Sequence, residues 1–179
     1  MFDQRSRKYL LAVSRDAIAR HLGLPTSHPQ LIPVADPQVR RPVFVTLTVG
    51  DRLRGCVGNM NPQGSLPESV AACAVASATA DPRFPPLAPG ELAKVRIEIS
   101  LLSPPVPAAG PQDIVPGTHG IIVSQGPRRG LLLPQVAAEH GWTAETFLSQ
   151  ACVKAGLPPN AWRAGVHIQI FTAEVFAEA

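Results

Sequence analysis

The residues with the clearest chemical potential are Arg54 and Cys56, which lie two positions apart in the segment Leu53–Gly58, sequence LRGCVG. Because side chains alternate along a strand, this spacing places the guanidinium and the thiol on one face. A cation beside a thiol favours the thiolate, the form that attacks electrophiles and binds metals. Gly55 and Gly58 carry no side chain and permit close approach by a substrate or by another backbone. The segment therefore predicts a thiol or guanidinium site in a small notch.

The same segment also has a purely structural interpretation. If the chain turns tightly just before it, Cys56 opposes Val45 and lies on an apolar face. Arg54 would then need a carboxylate partner, such as Asp81 or Glu98. A buried cysteine and an arginine that holds the fold together would account for the segment as well, since unpaired cysteines are commonly buried. The residues alone leave both interpretations open.

Two further side chains could complete a site around Cys56. His119 lies in a loop between glycines and could act as the base for the thiol, although a solvated loop histidine is the alternative. Arg83 belongs to the stiff segment Asp81–Leu87, sequence DPRFPPL, and could hold an anionic substrate group. The alternative for this segment is a salt-bridged brace whose prolines impose rigidity.

Patterns typical of metal sites are missing from the sequence. No two of the five histidines have helical metal-ligand spacing, and neither HExxH nor CxxC occurs. We therefore predict no metal and no cofactor. The three cysteines are widely spaced, which argues against a disulfide framework and suits a reducing cytoplasm. Cys73 and Cys152 lie among apolar residues of predicted helices, so we expect both in the core.

Length and composition exclude several classes of protein. A chain of 179 residues suits one domain or two small lobes folded together. Its net charge of +3 comes from scattered basic residues. Nucleic-acid binding is disfavoured, because such proteins concentrate lysine and arginine on one face. The first residues carry charges where a signal peptide would be apolar, and no run approaches the roughly 18 apolar residues of a membrane span. We expect a cytoplasmic protein without a membrane contact.

The hydrophobic pattern predicts the elements that position these residues. Helices are predicted over 3–22, 65–80, 134–140 and 143–155. Strands are predicted over 43–49, 53–57, 95–101, 120–124, 130–133 and 166–176. A turn at Gly50-Asp51 joins the first two strands, and a proline-bearing loop precedes them, ending at Pro42. Since hairpins and helices mix without regular βαβ alternation, the fold class is α+β with a mainly antiparallel sheet and packed helices.

The motif LRGCVG closely resembles the LRGCIG hexapeptide of the AMMECR family, which is named after the Alport syndrome and elliptocytosis chromosomal region gene. Its prokaryotic branch is called AmmeMemoRadiSam system protein A. Val57 stands where the family usually has isoleucine. Further matches follow in the family's order and cover nearly the whole chain: Phe44–Leu47, Asp81–Leu87, Ile97–Ser100, Gly117–Gly120, Arg129-Gly130, Leu133–Val136, Phe147-Leu148, Cys152–Leu157 and Trp162.

The resemblance implies one domain over residues 1–179, with a larger and a smaller lobe that intertwine and a cleft near the hexapeptide. It implies no known activity. The name of the prokaryotic branch reflects the company of a Memo-like protein and a radical SAM protein, so the resemblance implies partners in a shared pathway. It does not indicate an oligomeric state.

Two hypotheses for function follow from these residues. In the first, the chain is an enzyme or an enzyme component whose cleft is lined by Arg54, Cys56, Arg83, Glu98 and His119. Cys56 would be a nucleophile or thiol donor, and an arginine would hold an anionic group of a small substrate. In the second, the chain is a non-catalytic scaffold that docks a pathway partner through the same surface, because the sequence contains no complete catalytic constellation.

Overall fold

The computed structural model describes residues 2–27 and 40–179. Most of the proline-bearing loop lies outside the described residues. The chain divides into two compact units, one of residues up to Leu101 together with Glu174–Ala179, the other of Leu102–Ala173. Helices pack on antiparallel strands in each, so the predicted α+β class is confirmed. Within the described residues, no helix is both long and apolar enough to cross a membrane.

Each predicted helix and strand is present, with its ends within two residues of the predicted positions. The helices are Gln4–His21 (α1), Leu66–Thr79 (α2), Pro134–His140 (α3) and Ala144–Lys154 (α4). The strands are Val43–Val49 (β1), Arg52–Asn59 (β2), Val95–Leu102 (β3), Val106–Pro107 (β4), His119–Gln125 (β5), Arg128–Leu132 (β6) and His167–Ala177 (β7). The two-residue strand β4 and the short 3-10 helices were not predicted from the sequence.

The first unit contains the sheet in the order β2-β1-β3. The predicted turn joins β1 to β2, and Gly50 adopts φ 57° there, a conformation that favours glycine. The alternating residues Val45 and Ile97 point to one face, where they are fully buried. Helices α1 and α2 supply the rest of this core, and Ser65 caps α2 in the predicted capping box with Glu68. The other face of β1 and β3 carries mainly polar residues, such as Thr46 and Glu98, together with Phe44.

The second unit contains β6, β5 and the part of β7 up to Ala173, in that order, with β4 paired to β7. Its core joins Ile121 and Val123 of β5 to Phe147 and Cys152 of α4. Cys152 is fully buried, and Cys73 of α2 is buried in the first unit, so the core positions predicted for both cysteines are confirmed. Burial raises the pKa of Cys73 to about 11, which makes its thiol inert at neutral pH.

Candidate functional site

The ladder between β1 and β2 contains one irregularity, at Arg54. Thr48 pairs with Leu53, whereas the preceding residue Leu47 pairs with Gly55. Strand β2 therefore carries one extra residue, as in a β-bulge. Such an insertion exchanges the two faces for every residue beyond it.

The bulge determines which residue of β1 lies opposite Cys56. Cys56 pairs with Thr46, so the expected opposition to Val45 is wrong. Val45 is fully buried, whereas Thr46 and Cys56 are both partly exposed. The Thr46 hydroxyl donates a 3.3 Å hydrogen bond to the Cys56 sulfur. The thiol thus lies beside a hydroxyl and outside the apolar core.

Packing accounts for both glycines of the hexapeptide. A Cβ at Gly55 would overlap the backbone carbonyl oxygen of Ser77 in α2. A Cβ at Gly58 would overlap the ring of Phe44 on β1. The sequence predicts close approach either by a substrate or by another part of the protein, and the second explanation applies to both glycines. Their contact with a substrate remains a prediction.

The Arg54 guanidinium is held on several sides by the loop that follows α2. Its Nε and Nη2 donate to the two carboxylate oxygens of Glu91 at 3.0 and 3.1 Å. Its Nη1 donates to the carbonyl oxygen of Pro85 at 3.0 Å, and Nη2 also reaches that of Pro86 at 3.5 Å. These bonds to Arg54 are the main reason that the pKa of the Glu91 carboxyl lies below its usual value. With only 13% of its side chain exposed, Arg54 braces this loop against β2.

The buried carboxylate of Asp81 connects Cys56 to Arg83. Its Oδ2 accepts the backbone N–H of Cys56 at 2.8 Å and Nη2 of Arg83 at 2.7 Å. Its Oδ1 accepts the backbone N–H and Nε of Arg83 at 3.1 and 3.0 Å. The hydrogen bonds from the Arg83 side chain, above all, hold the pKa of Asp81 far below its usual range, although burial opposes this shift. Asp81 is therefore ionised at neutral pH.

Arg83 keeps donor capacity after these contacts. Its side chain is 55% exposed, and its Nη2 lies 3.5 Å from the Cys56 carbonyl oxygen. The hydrogen bond to Asp81 is the main reason that the pKa of Arg83 is raised. No described residue accepts a hydrogen bond from Nη1 of Arg83. One edge of this guanidinium is thus fixed, and its Nη1 group can donate to another acceptor.

The other two predicted site residues, Glu98 and His119, belong to different units of the chain. Glu98 on β3 pairs with Thr46, so Cys56, Thr46 and Glu98 form one row across β2, β1 and β3. Partners in such a row project to the same face of a sheet. His119 begins β5 in the second unit, and its Nδ1 accepts the backbone N–H of Val115 at 3.1 Å. A base at His119 for the Cys56 thiol remains a prediction.

Three residues that build the site were not predicted from the sequence: Thr46, Ser77 and Glu91. Ser77 Oγ accepts the Val57 N–H at 2.9 Å and donates to the Val45 carbonyl oxygen at 2.7 Å, which ties α2 to both strands. Only Glu91 left a usable signal, since it is an acidic residue close after the proline segment. Across residues 2–27 and 40–179, no three His, Cys, Asp or Glu side chains are grouped so that they could hold a metal ion.

Comparison with known proteins identifies the class to which this fold and site belong. The family model AMMECR1 matches residues 11–176, so the chain belongs to the AMMECR1 family. The predicted membership of the AMMECR family is thereby confirmed.

Similar proteins come from archaea. Protein MK0488 of Methanopyrus kandleri is 42% identical over 96% of this chain and 87% of its own length. Protein MJ0810 of Methanocaldococcus jannaschii is 39% identical over 96% of this chain and 87% of its own length. The crystal structure of the uncharacterized protein PH0010 from Pyrococcus horikoshii matches with a TM-score of 0.89 at 38% identity, covering 98% of this chain and 93% of that one.

Proposed function

We propose that this chain is an enzyme, or an enzyme component, that acts on a small anionic substrate at Cys56. Cys56 supplies the nucleophile or donor thiol, and Arg83 binds the anionic group. The observation that carries this proposal is the position of Arg83, which Asp81 fixes beside Cys56 while its Nη1 remains available.

The two arginines of the site have different roles in this proposal. Arg54 already directs all three of its nitrogens to protein acceptors, so it positions the loop and does not bind the substrate. Arg83 is oriented by a buried carboxylate, which lowers the entropy lost when an anion binds. A fixed guanidinium edge suits carboxylate and phosphate groups. The substrate is therefore an anion of that kind with an electrophilic centre next to its charge.

As a nucleophile, Cys56 would carry out a displacement. The Cys56 thiol releases its proton, the sulfur forms a bond to the electrophilic atom, and the leaving group departs with the bonding electron pair. Glu98, in the same row as the thiol, is the candidate for substrate contacts and proton transfer. We place this activity in the cytoplasm because the widely spaced cysteines suit a reducing compartment. The family resemblance suggests a pathway shared with Memo-like and radical SAM proteins.

Two alkylating reagents of the same size test the anion site. Iodoacetate carries a negative charge, and iodoacetamide is neutral. At Cys56, the ratio of their rate constants should exceed that of a free thiol by about 3-fold or more, because the Arg83 cation attracts the anion. Arg83→Gln should abolish this excess and Arg83→Lys should retain part of it. The control is Arg163→Gln, which removes an exposed, ion-paired arginine of the second unit. An unchanged ratio in Arg83→Gln would contradict the proposal.

The second candidate function is docking of a pathway protein through the hexapeptide surface. It is favoured by Leu53, a hydrophobic side chain of β2 that is 39% exposed beside the braced Arg54. Leu53→Ser should then lower binding of purified Memo-like or radical SAM protein in a pull-down, whereas Val115→Ser, at an exposed valine of the second unit, should not. Equal capture of the partner by both variants would remove this candidate.

A further inference from the structure

We propose that Thr46 is a positioning residue for the Cys56 thiol: its hydroxyl orients the sulfur and supports the negative charge that develops on it. This inference rests on the proposed function, because it assigns a role within the same site. Thr46 could not be predicted as part of the site from its residue type, because its position beside Cys56 depends on the register of β2.

The register of β2 against β1 determines which side chain lies opposite Cys56. Without the extra residue at Arg54, Cys56 would pair with Val45, which is fully buried and cannot donate a hydrogen bond from its side chain. With the bulge, Cys56 pairs with Thr46 on the partly exposed face. Bulges commonly re-aim a side chain next to a functional site. Here the bulge exchanges an apolar neighbour of the sulfur for a hydroxyl.

The Thr46 hydroxyl contacts the Cys56 sulfur directly. Thr46 Oγ1 lies 3.3 Å from Cys56 Sγ and is placed to donate to it. A hydrogen bond donated to the charged form of a group favours that form, so the hydroxyl stabilises a thiolate more than a thiol. Threonine has restricted χ1 rotamers, so its hydroxyl is held in place without a further partner.

Other charged and titratable groups surround the sulfur, and the test must separate Thr46 from them. Arg83 approaches from the loop after α2, and Asp81 accepts the Cys56 backbone N–H. Glu98 follows Thr46 in the row on β3, and the Cys73 thiol on α2 interacts electrostatically with that of Cys56. All of these remain in place when only the Thr46 hydroxyl is removed.

The experiment measures the rate of alkylation of Cys56 by neutral iodoacetamide between about pH 6 and pH 10, so that both thiol and thiolate are sampled. Thr46→Val keeps the branched shape and removes the donor. We expect its pH midpoint to lie about 0.5 to 1 unit above that of the wild type, because one hydrogen bond is worth about that much. Thr46→Ser, which keeps the hydroxyl, should restore the wild-type midpoint.

The outcomes separate this inference from the proposed function. A Thr46→Val midpoint equal to that of the wild type would overturn the role of Thr46, even if Arg83→Gln still abolished the preference for iodoacetate. A shifted midpoint without any preference for iodoacetate would leave Thr46 in place and remove the anion site. Labelling of Cys73 reports whether the first unit has opened. If Thr46→Val exposes Cys73, the smaller Thr46→Ala takes its place under the same criteria.

Discussion

The backbone N–H of Cys56 donates a 2.8 Å hydrogen bond to the carboxylate of Asp81, 25 residues further along the chain. The same carboxylate binds the Arg83 side chain through both of its oxygens. The buried Asp81 carboxylate therefore fixes the position of the Arg83 guanidinium relative to β2, the strand that carries the Cys56 thiol.

Asp81 should make stability depend on acid pH. Its pKa in the folded protein is depressed by Arg83, below the value of about 3.9 in an unfolded chain. The stabilisation is therefore complete above that unfolded value and is lost as the pH falls toward the folded value. Asp81→Asn should cost about 2 kcal/mol at neutral pH, because the Arg83 charge loses its partner.

Urea unfolding at several pH values measures this effect. The difference in the free energy of unfolding between wild type and Asp81→Asn should be constant from about pH 7 to pH 5 and should shrink below about pH 4. Glu91, whose pKa is also lowered, is present in both proteins and cancels in the difference. A difference that persists unchanged at about pH 3 would contradict the assigned role of Asp81.

Arg54 should matter for stability because it braces the loop. Arg54→Gln removes the guanidinium bonds to the Glu91 carboxylate and to the Pro85 carbonyl oxygen, and we expect a loss of about 2 to 3 kcal/mol in the free energy of unfolding. Arg163→Gln breaks an exposed pair with Glu145 and should cost less than about 1 kcal/mol. Chemical denaturation of both variants checks this, and equal losses would rule out the brace.

Gly55 should not tolerate a side chain. In Gly55→Ala the new methyl group would overlap the Ser77 carbonyl oxygen, so α2 must shift, at a cost of about 1 to 3 kcal/mol. Gly90→Ala is the matched control, because a Cβ there meets nothing within 4 Å and the φ angle is ordinary. Thermal unfolding should show a lower midpoint for the Gly55 variant alone. Similar midpoints for both variants would show that α2 does not pack closely against β2 at Gly55.

The sequence predicts local structure well because local structure follows from local patterns. The alternation of Val95–Leu101 and the capping box at Ser65 each specify an element without reference to the rest of the chain. The buried positions of Cys73 and Cys152 follow from the apolar helices that contain them. These features are confirmed for the same reason that they could be predicted.

The site was harder to predict because it depends on contacts between distant segments. A regular hairpin was the simplest assumption, and the extra residue at Arg54 changes the partner of Cys56 from Val45 to Thr46. Gly55, directly after Arg54, is a residue type that often marks a bulge, but its presence alone does not specify the new register. The contact of Asp81 with Cys56 depends on how α2 ends, which local pattern does not specify. The residue types of the site were therefore visible in the sequence, but their partners were not.

The most direct test of the account is the reactivity of the three cysteines in the native protein. Brief treatment with iodoacetamide at about pH 8, followed by mass spectrometry of each cysteine, compares them within one molecule. Cys56 should react at least about 100-fold faster than the buried Cys73 and Cys152. If Cys56 reacts no faster than Cys73 in the folded protein, its thiol is not available to a substrate, and the proposed activity is contradicted.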